Sequence, residues 1–98
     1  MSTNIETILR EILTSASGNK IHVRMEMPYD WGVTLSGEID GNDIAVSHEF
    51  DFAKYATEFK KNHSSEKFNI IDFTLTKNGQ YEEHPIYDAA FQEAQDKL

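Results

Sequence analysis

The sequence contains no cysteine, which excludes disulfides, thiolate chemistry and cysteine-built zinc sites. Proline occurs twice and glycine five times. The glycines are dispersed, so no glycine-rich loop is present to cradle a phosphate, and no Gly-x-Ser-x-Gly elbow occurs either. Basic residues are scarce: nine Lys and Arg stand against seventeen Asp and Glu, for a formal net charge of −8. No apolar run approaches the roughly 20 residues that a bilayer-spanning helix needs. The first residues, MSTNIETILREIL, lack a basic n-region and a small-residue cleavage site. They read as an amphipathic helix rather than a signal peptide, and the expected location is the cytoplasm.

What is present is enough for one core. The 98 residues are 39% hydrophobic and include six Phe, four Tyr and one Trp. A chain of this size buries about 60–65% of its unfolded surface, which suits one sheet packed against helices. A single domain over residues 1–98 is expected.

Periodicity sets the order of elements. Thr3 with Glu6 fits a capping box, and Ile5, Ile8, Leu9, Ile12 and Leu13 recur at helical spacing. Gly18 is the expected C′ residue of that helix. From Lys20 the period is two: Ile21, Val23, Met25 and Met27 alternate with His22, Arg24 and Glu26. After a Pro28-Tyr29-Asp30 turn, Trp31, Val33, Leu35 and Ile39 predict a second strand, in which Gly32 and Gly37 suggest a bulge or a close backbone approach. Asp40-Gly41-Asn42-Asp43 reads as a turn and Ile44 to Ser47 as a short third strand. A helix nucleated near Ser47 or Asp51 follows, with Phe52, Tyr55, Ala56 and Phe59 on one stripe. Lys60 and Lys61 suit its negative end.

The stretch from Phe68 to Asp88 reads as a hairpin around Lys77-Asn78-Gly79. A two-residue loop would set Leu75 opposite Glu82. A three-residue loop with Gly79 left-handed sets Leu75 opposite Tyr81 and Thr74 opposite Glu82, which keeps apolar with apolar. Phe68 and Ile70 share one parity and Ile71, Phe73 and Leu75 the other. Either a bulge sits near Ile70 or both faces of the strand are covered. Pro85 ends the partner strand or confines it to an edge. A last helix, from about Tyr87 to Lys97, is expected to pack Tyr87, Ala90, Phe91 and Ala94. The order α-β-β-β-α-β-β-α predicts an α+β fold, an antiparallel sheet of about five strands packed against helices.

Chemistry is sparse. His22, His48, His63 and His84 fall in separate elements without the i, i+4 pairing of a metalloprotease helix. Asp40, Asn42 and Asp43 lack the twelve-residue calcium-loop pattern and its terminal Glu. Glu82 and Glu83 point to opposite faces of one strand and cannot serve one site. No cofactor, metal or catalytic residue is expected. The surplus of acid repels nucleic acid and speeds association with basic partners. Tyr29 and Trp31 are aromatics at a turn. Trp31 shares parity with Val33 and Leu35 and suits the core, which leaves Tyr29 as an interface anchor.

Phe68-Asn69-Ile70, then Asn78-Gly79-Gln80-Tyr81, then Tyr87-Asp88 carry a family resemblance over the C-terminal half. This pattern resembles small immunity proteins of the YezG-like kind, which protect bacteria from polymorphic or contact-dependent toxins, although Phe68 stands where Trp is more typical. The resemblance implies no catalysis and a cognate toxin as partner, often a basic nuclease whose active site or groove is blocked. Charge and turn position give the candidate partner-binding residues: Glu26, Tyr29, Asp30, Glu38, Asp40, Asp43, Tyr81, Glu82 and Glu83. Two other readings stay open. One is an acidic mimic of duplex DNA, of the anti-restriction or anti-CRISPR type. The other is a small enzyme or ligand-binding module, which would require a deep pocket. Oligomeric state is left open, with an edge strand ending at Pro85 as one route to strand addition.

Overall fold

A computed structural model describes residues 4–27, 33–63 and 67–97. The elements are α1 (Asn4–Ser15), β1 (Lys20–Glu26), β2 (Thr34–Ile39), β3 (Asn42–Ile44), α2 (Glu49–Asn62), β4 (Ile70–Thr76), β5 (Tyr81–Ile86) and α3 (Ala89–Asp96). The fold is α+β in the expected order. The five strands form one antiparallel sheet in the order β3-β2-β1-β4-β5. Thr3, Pro28, Tyr29, Asp30, Trp31, Gly32, Ser64 and Ser65, which carry several of the expectations above, lie outside the described residues.

Alternation decides the two faces. Ile21, Val23 and Met25 of β1 pair with Leu75, Phe73 and Ile71 of β4, and all six are buried against α1 and α2. Ile5, Ile8, Leu9 and Leu13 come from α1, and Phe52 and Ala56 from α2. Phe52 meets Phe73 edge-on at 5.5 Å and Tyr55 meets it at 5.7 Å. Such pairs are worth about 0.5–1.5 kcal/mol beyond their buried area.

The long hairpin has the three-residue loop. Leu75 pairs with Tyr81 and Thr74 with Glu82, and Gly79 sits at φ +93°. The Thr76 N–H donates to the Gln80 carbonyl at 3.0 Å, and the Gln80 N–H donates to Thr76 Oγ1 at 3.1 Å. β4 runs without a bulge, its register unbroken against both neighbours. The phase change has the other cause. Ile70 lies on the face opposite the core helices, yet it is only 2% exposed and outside the main cluster. Phe68, before the strand begins, turns back to meet Phe59 of α2 at 5.1 Å.

Four boundaries differ from the expectation. Asp40 (φ 51°) and Gly41 (φ 85°) make a two-residue turn, so Asn42 already pairs with Ile39. The third strand is therefore Asn42–Ile44, not Ile44 to Ser47. Two left-handed residues in succession match the twist of a tight hairpin. At the end of α1 it is Ser17, not Gly18, that turns left-handed (φ 53°). Ser17 N–H donates to the Thr14 carbonyl and Gly18 N–H to the Leu13 carbonyl, both at 3.1 Å. That is a Schellman ending with Gly18 one position later. Gly18 is there for space: a Cβ would stand 2.3 Å from Ile39 Cγ2.

α2 begins at Glu49 after His48, between the two expected nucleation points. α3 begins at Ala89 rather than Tyr87, because Asp88 Oδ1 accepts the Phe91 N–H at 3.0 Å and caps it. Ala90 and Ala94 are exposed and Tyr87 is 38% exposed, so only Phe91 of the expected stripe is half-buried. Gly37 makes a close approach without a bulge. A Cβ there would lie 2.7 Å from Val46 Cγ2.

Candidate functional site

Both long helices occupy one side of the sheet, so the side chains of the other parity form an open polar face. They fall into cross-strand rows. The first runs Asp43–Glu38–His22–Thr74–Glu82 from β3 to β5, and the second runs Ser36–Arg24–Asp72–His84. The third, Thr34–Glu26–Ile70–Ile86, lies where Ile70 is buried.

Just before the third row, the C-terminal segment is tied to the residue that precedes β4. Asn69, buried at 4% exposure, donates from Nδ2 to the Asp88 carbonyl at 2.9 Å and accepts the Asp88 N–H at 2.8 Å. These two bonds fix the start of α3 against the start of β4. Rows one and two remain open to solvent.

The centre of the open face is an ion-pair cluster. Arg24 grips Asp72 through Nε to Oδ1 at 2.8 Å and Nη2 to Oδ2 at 2.9 Å. His22 Nε2 lies 3.2 Å from Asp72 Oδ1, and its Nδ1 lies 3.7 Å from Glu38 Oε1. Burial would raise the Asp72 carboxyl, but the hydrogen bond and charge of Arg24, helped by His22, hold it below the ordinary carboxylate value. The Arg24 guanidinium is raised chiefly by its hydrogen bond to Asp72, against the cost of burial. Two shallow depressions of about 240 and 340 Å3 flank His22 and Glu38. Among the described residues no group of three or more His, Asp or Glu could hold a metal ion.

The candidate partner-binding residues divide. Glu38, Asp43 and Glu82 lie exposed in the first row, the Glu82 and Glu38 side chains at 66% and 47%, and Glu26 lies half-buried beside Ile70 in the third. Asp40 is on the surface but occupied. Its carboxylate accepts the Asn19 N–H at 3.1 Å and the Lys20 N–H at 3.1 Å, clasping the β2–β3 turn to the start of β1. Glu83 and Tyr81 are on the helix-covered side and engage each other: Tyr81 Oη donates to Glu83 Oε1 at 2.5 Å, and Tyr55 Oη donates to the same oxygen. Burial first, then the hydrogen bond and charge of Glu83, raise the Tyr55 hydroxyl pKa well above the ordinary value. Tyr29 and Asp30 lie outside the described residues.

The residues that carry the resemblance serve the fold. Phe68 packs on Phe59, Gly79 makes the turn, Asp88 caps α3, and the Lys67 ammonium sits 4.5 Å above the Tyr87 ring. Two features went unnoticed in the sequence. The Arg24–Asp72–His22 cluster depends on strands far apart in the chain, and only the alternation of His22 and Arg24 hinted at a polar face. Phe50, 82% exposed, is the other. It lies off the Phe52–Tyr55–Ala56–Phe59 stripe, which was the available signal. No family model matches the chain, and no curated protein matches it.

Proposed function

We propose that this chain is an immunity protein, which acts in the cytoplasm by binding a basic, nuclease-type toxin domain and covering its substrate groove without catalysis. The observation that carries the reading is the open sheet face, where Asp43, Glu38 and Glu82 share one cross-strand row on a chain of net charge −8. A nuclease groove is positive because it holds phosphates. An acidic face therefore both attracts it and competes for it. The resemblance of the C-terminal half to YezG-like immunity proteins supports the same partner class. A mimic of duplex DNA needs carboxylates in phosphate-like succession, whereas here His22, Arg24 and His84 interrupt them.

Co-expression tests this reading. Where a large secreted protein is encoded immediately upstream, its C-terminal domain is the toxin to test, expressed in a host that it arrests. The wild-type chain is expected to restore growth. A folded triple variant, Glu38→Lys with Asp43→Lys and Glu82→Lys, is expected to lose most of that protection. Equal protection by the triple variant would exclude the acidic row as the contact. An upstream frame encoding a metabolic enzyme would remove the immunity reading itself.

A further inference from the structure

The open acidic row ends at β3, and the segment that follows carries an apolar feature of its own. Phe50 stands in the first turn of α2 with 82% of its surface exposed. It lies two residues from the buried Phe52, which at about 100° per residue points it away from the core. Beside this segment runs an open groove of about 470 Å3, lined by Ile12 and Ala16 from the end of α1, Ile39, Ile44, Ala45 and His48. His48 closes the groove on the α2 side.

The residue after Ala45 of the groove is packed down on the sheet. Because Gly37 has no side chain, Val46 lies close over β2, where a Cβ would stand only 2.7 Å from it. The charge nearest the apolar surface is negative: Glu11 lines the groove, and Glu49 and Asp51 are the neighbours of Phe50 in the first turn of α2. No Lys or Arg lines the groove.

The opposite edge is less suited to a partner. Thr76 N–H pairs with Gln80, so the odd-numbered residues of β5 present their backbone outward, and there Pro85 has no N–H to offer.

The geometry points to the β3–α2 end of the molecule as the docking site, where a protein partner places an aliphatic or aromatic side chain, flanked by Lys or Arg, against Phe50 and the groove. The proposal rests on the reading of a basic protein partner and adds to it the location and the apolar anchor. Apolar contacts ringed by charge are the usual make-up of an interface centre and rim.

The probe is a short peptide with arginines on both sides of a single leucine, titrated into the 15N-labelled protein. Amide shifts are expected to concentrate on residues 44–51 and 12–16. Phe50→Ala should weaken binding about fivefold or more, and so should alanine for leucine in the peptide. Phe50 contributes little to the core, so this variant should keep the wild-type spectrum elsewhere. Shifts confined to residues 82–86, no saturable shifts, or equal affinity for Phe50→Ala would overturn the proposal. The two ideas fail separately. Full growth protection by Phe50→Ala in co-expression removes the docking site and leaves the immunity reading intact. Peptide binding at Phe50 without any growth protection does the reverse.

Discussion

Asp72 shows how a single side chain ties the open face together. It receives two hydrogen bonds from Arg24 and a contact from His22, and its side chain is only 14% exposed. Its folded pKa lies below the ordinary value of 3.8. The folded state therefore holds this proton less tightly than the unfolded chain does, and the resulting stability is present above about 3.8 and lost as the pH falls through the lower folded value. Asp72→Asn should flatten the acid limb of a plot of urea midpoint against pH, while lowering stability at neutral pH. An acid limb as steep as wild type would mean that other carboxylates govern it. Removing one partner of such a pair costs more than the pair contributes, because Arg24 is left without its acceptor.

The end of α1 is where local sequence rules and element packing part company. Glycine favours the left-handed C′ position, yet here Ser17 occupies it and Gly18 follows, pressed against Ile39. Opposite effects are expected from neighbouring substitutions. Ser17→Gly should stabilise by a few tenths to about 1 kcal/mol, by relieving a left-handed residue that carries a Cβ. Gly18→Ala should destabilise by about 1–3 kcal/mol, because β2 must shift to admit a methyl group. Urea denaturation of both variants checks the pair, and the reverse order would restore Gly18 as the left-handed cap. The hairpin behaves differently. Gly79 takes φ +93° with nothing within 4 Å of where a Cβ would stand, so its requirement is purely conformational and was readable from Asn78-Gly79.

At the scale of the whole molecule, the two faces of one sheet have separate duties. One is sealed by α1 and α2, and the other presents charge, within extents of 40 × 29 × 20 Å. No helix among the described residues is long and apolar enough to cross a membrane. With a charge of −8, the association rate with the basic partner proposed above should fall about tenfold or more between low salt and roughly 0.5 M salt, while dissociation changes little. Stopped-flow measurement at several salt concentrations separates the two. An association rate independent of salt would show that the apolar anchor, not the field, directs the encounter.

The sequence by itself determined the order of elements, the class of fold, the core face of β1, and the three-residue hairpin loop. Each follows from a periodicity or a turn preference acting over a few residues. Only the tertiary structure decided which polar groups are free. Asp40 is spent on the backbone of Asn19 and Lys20, twenty residues away in the chain, and Glu83 on Tyr55 across the packed face. The same holds for Ile70, buried on the face away from the core helices, and for Gly18, whose size is set by Ile39. A carboxylate's type is local information. Its availability depends on what the fold brings within hydrogen-bonding distance, and no short-range pattern records that.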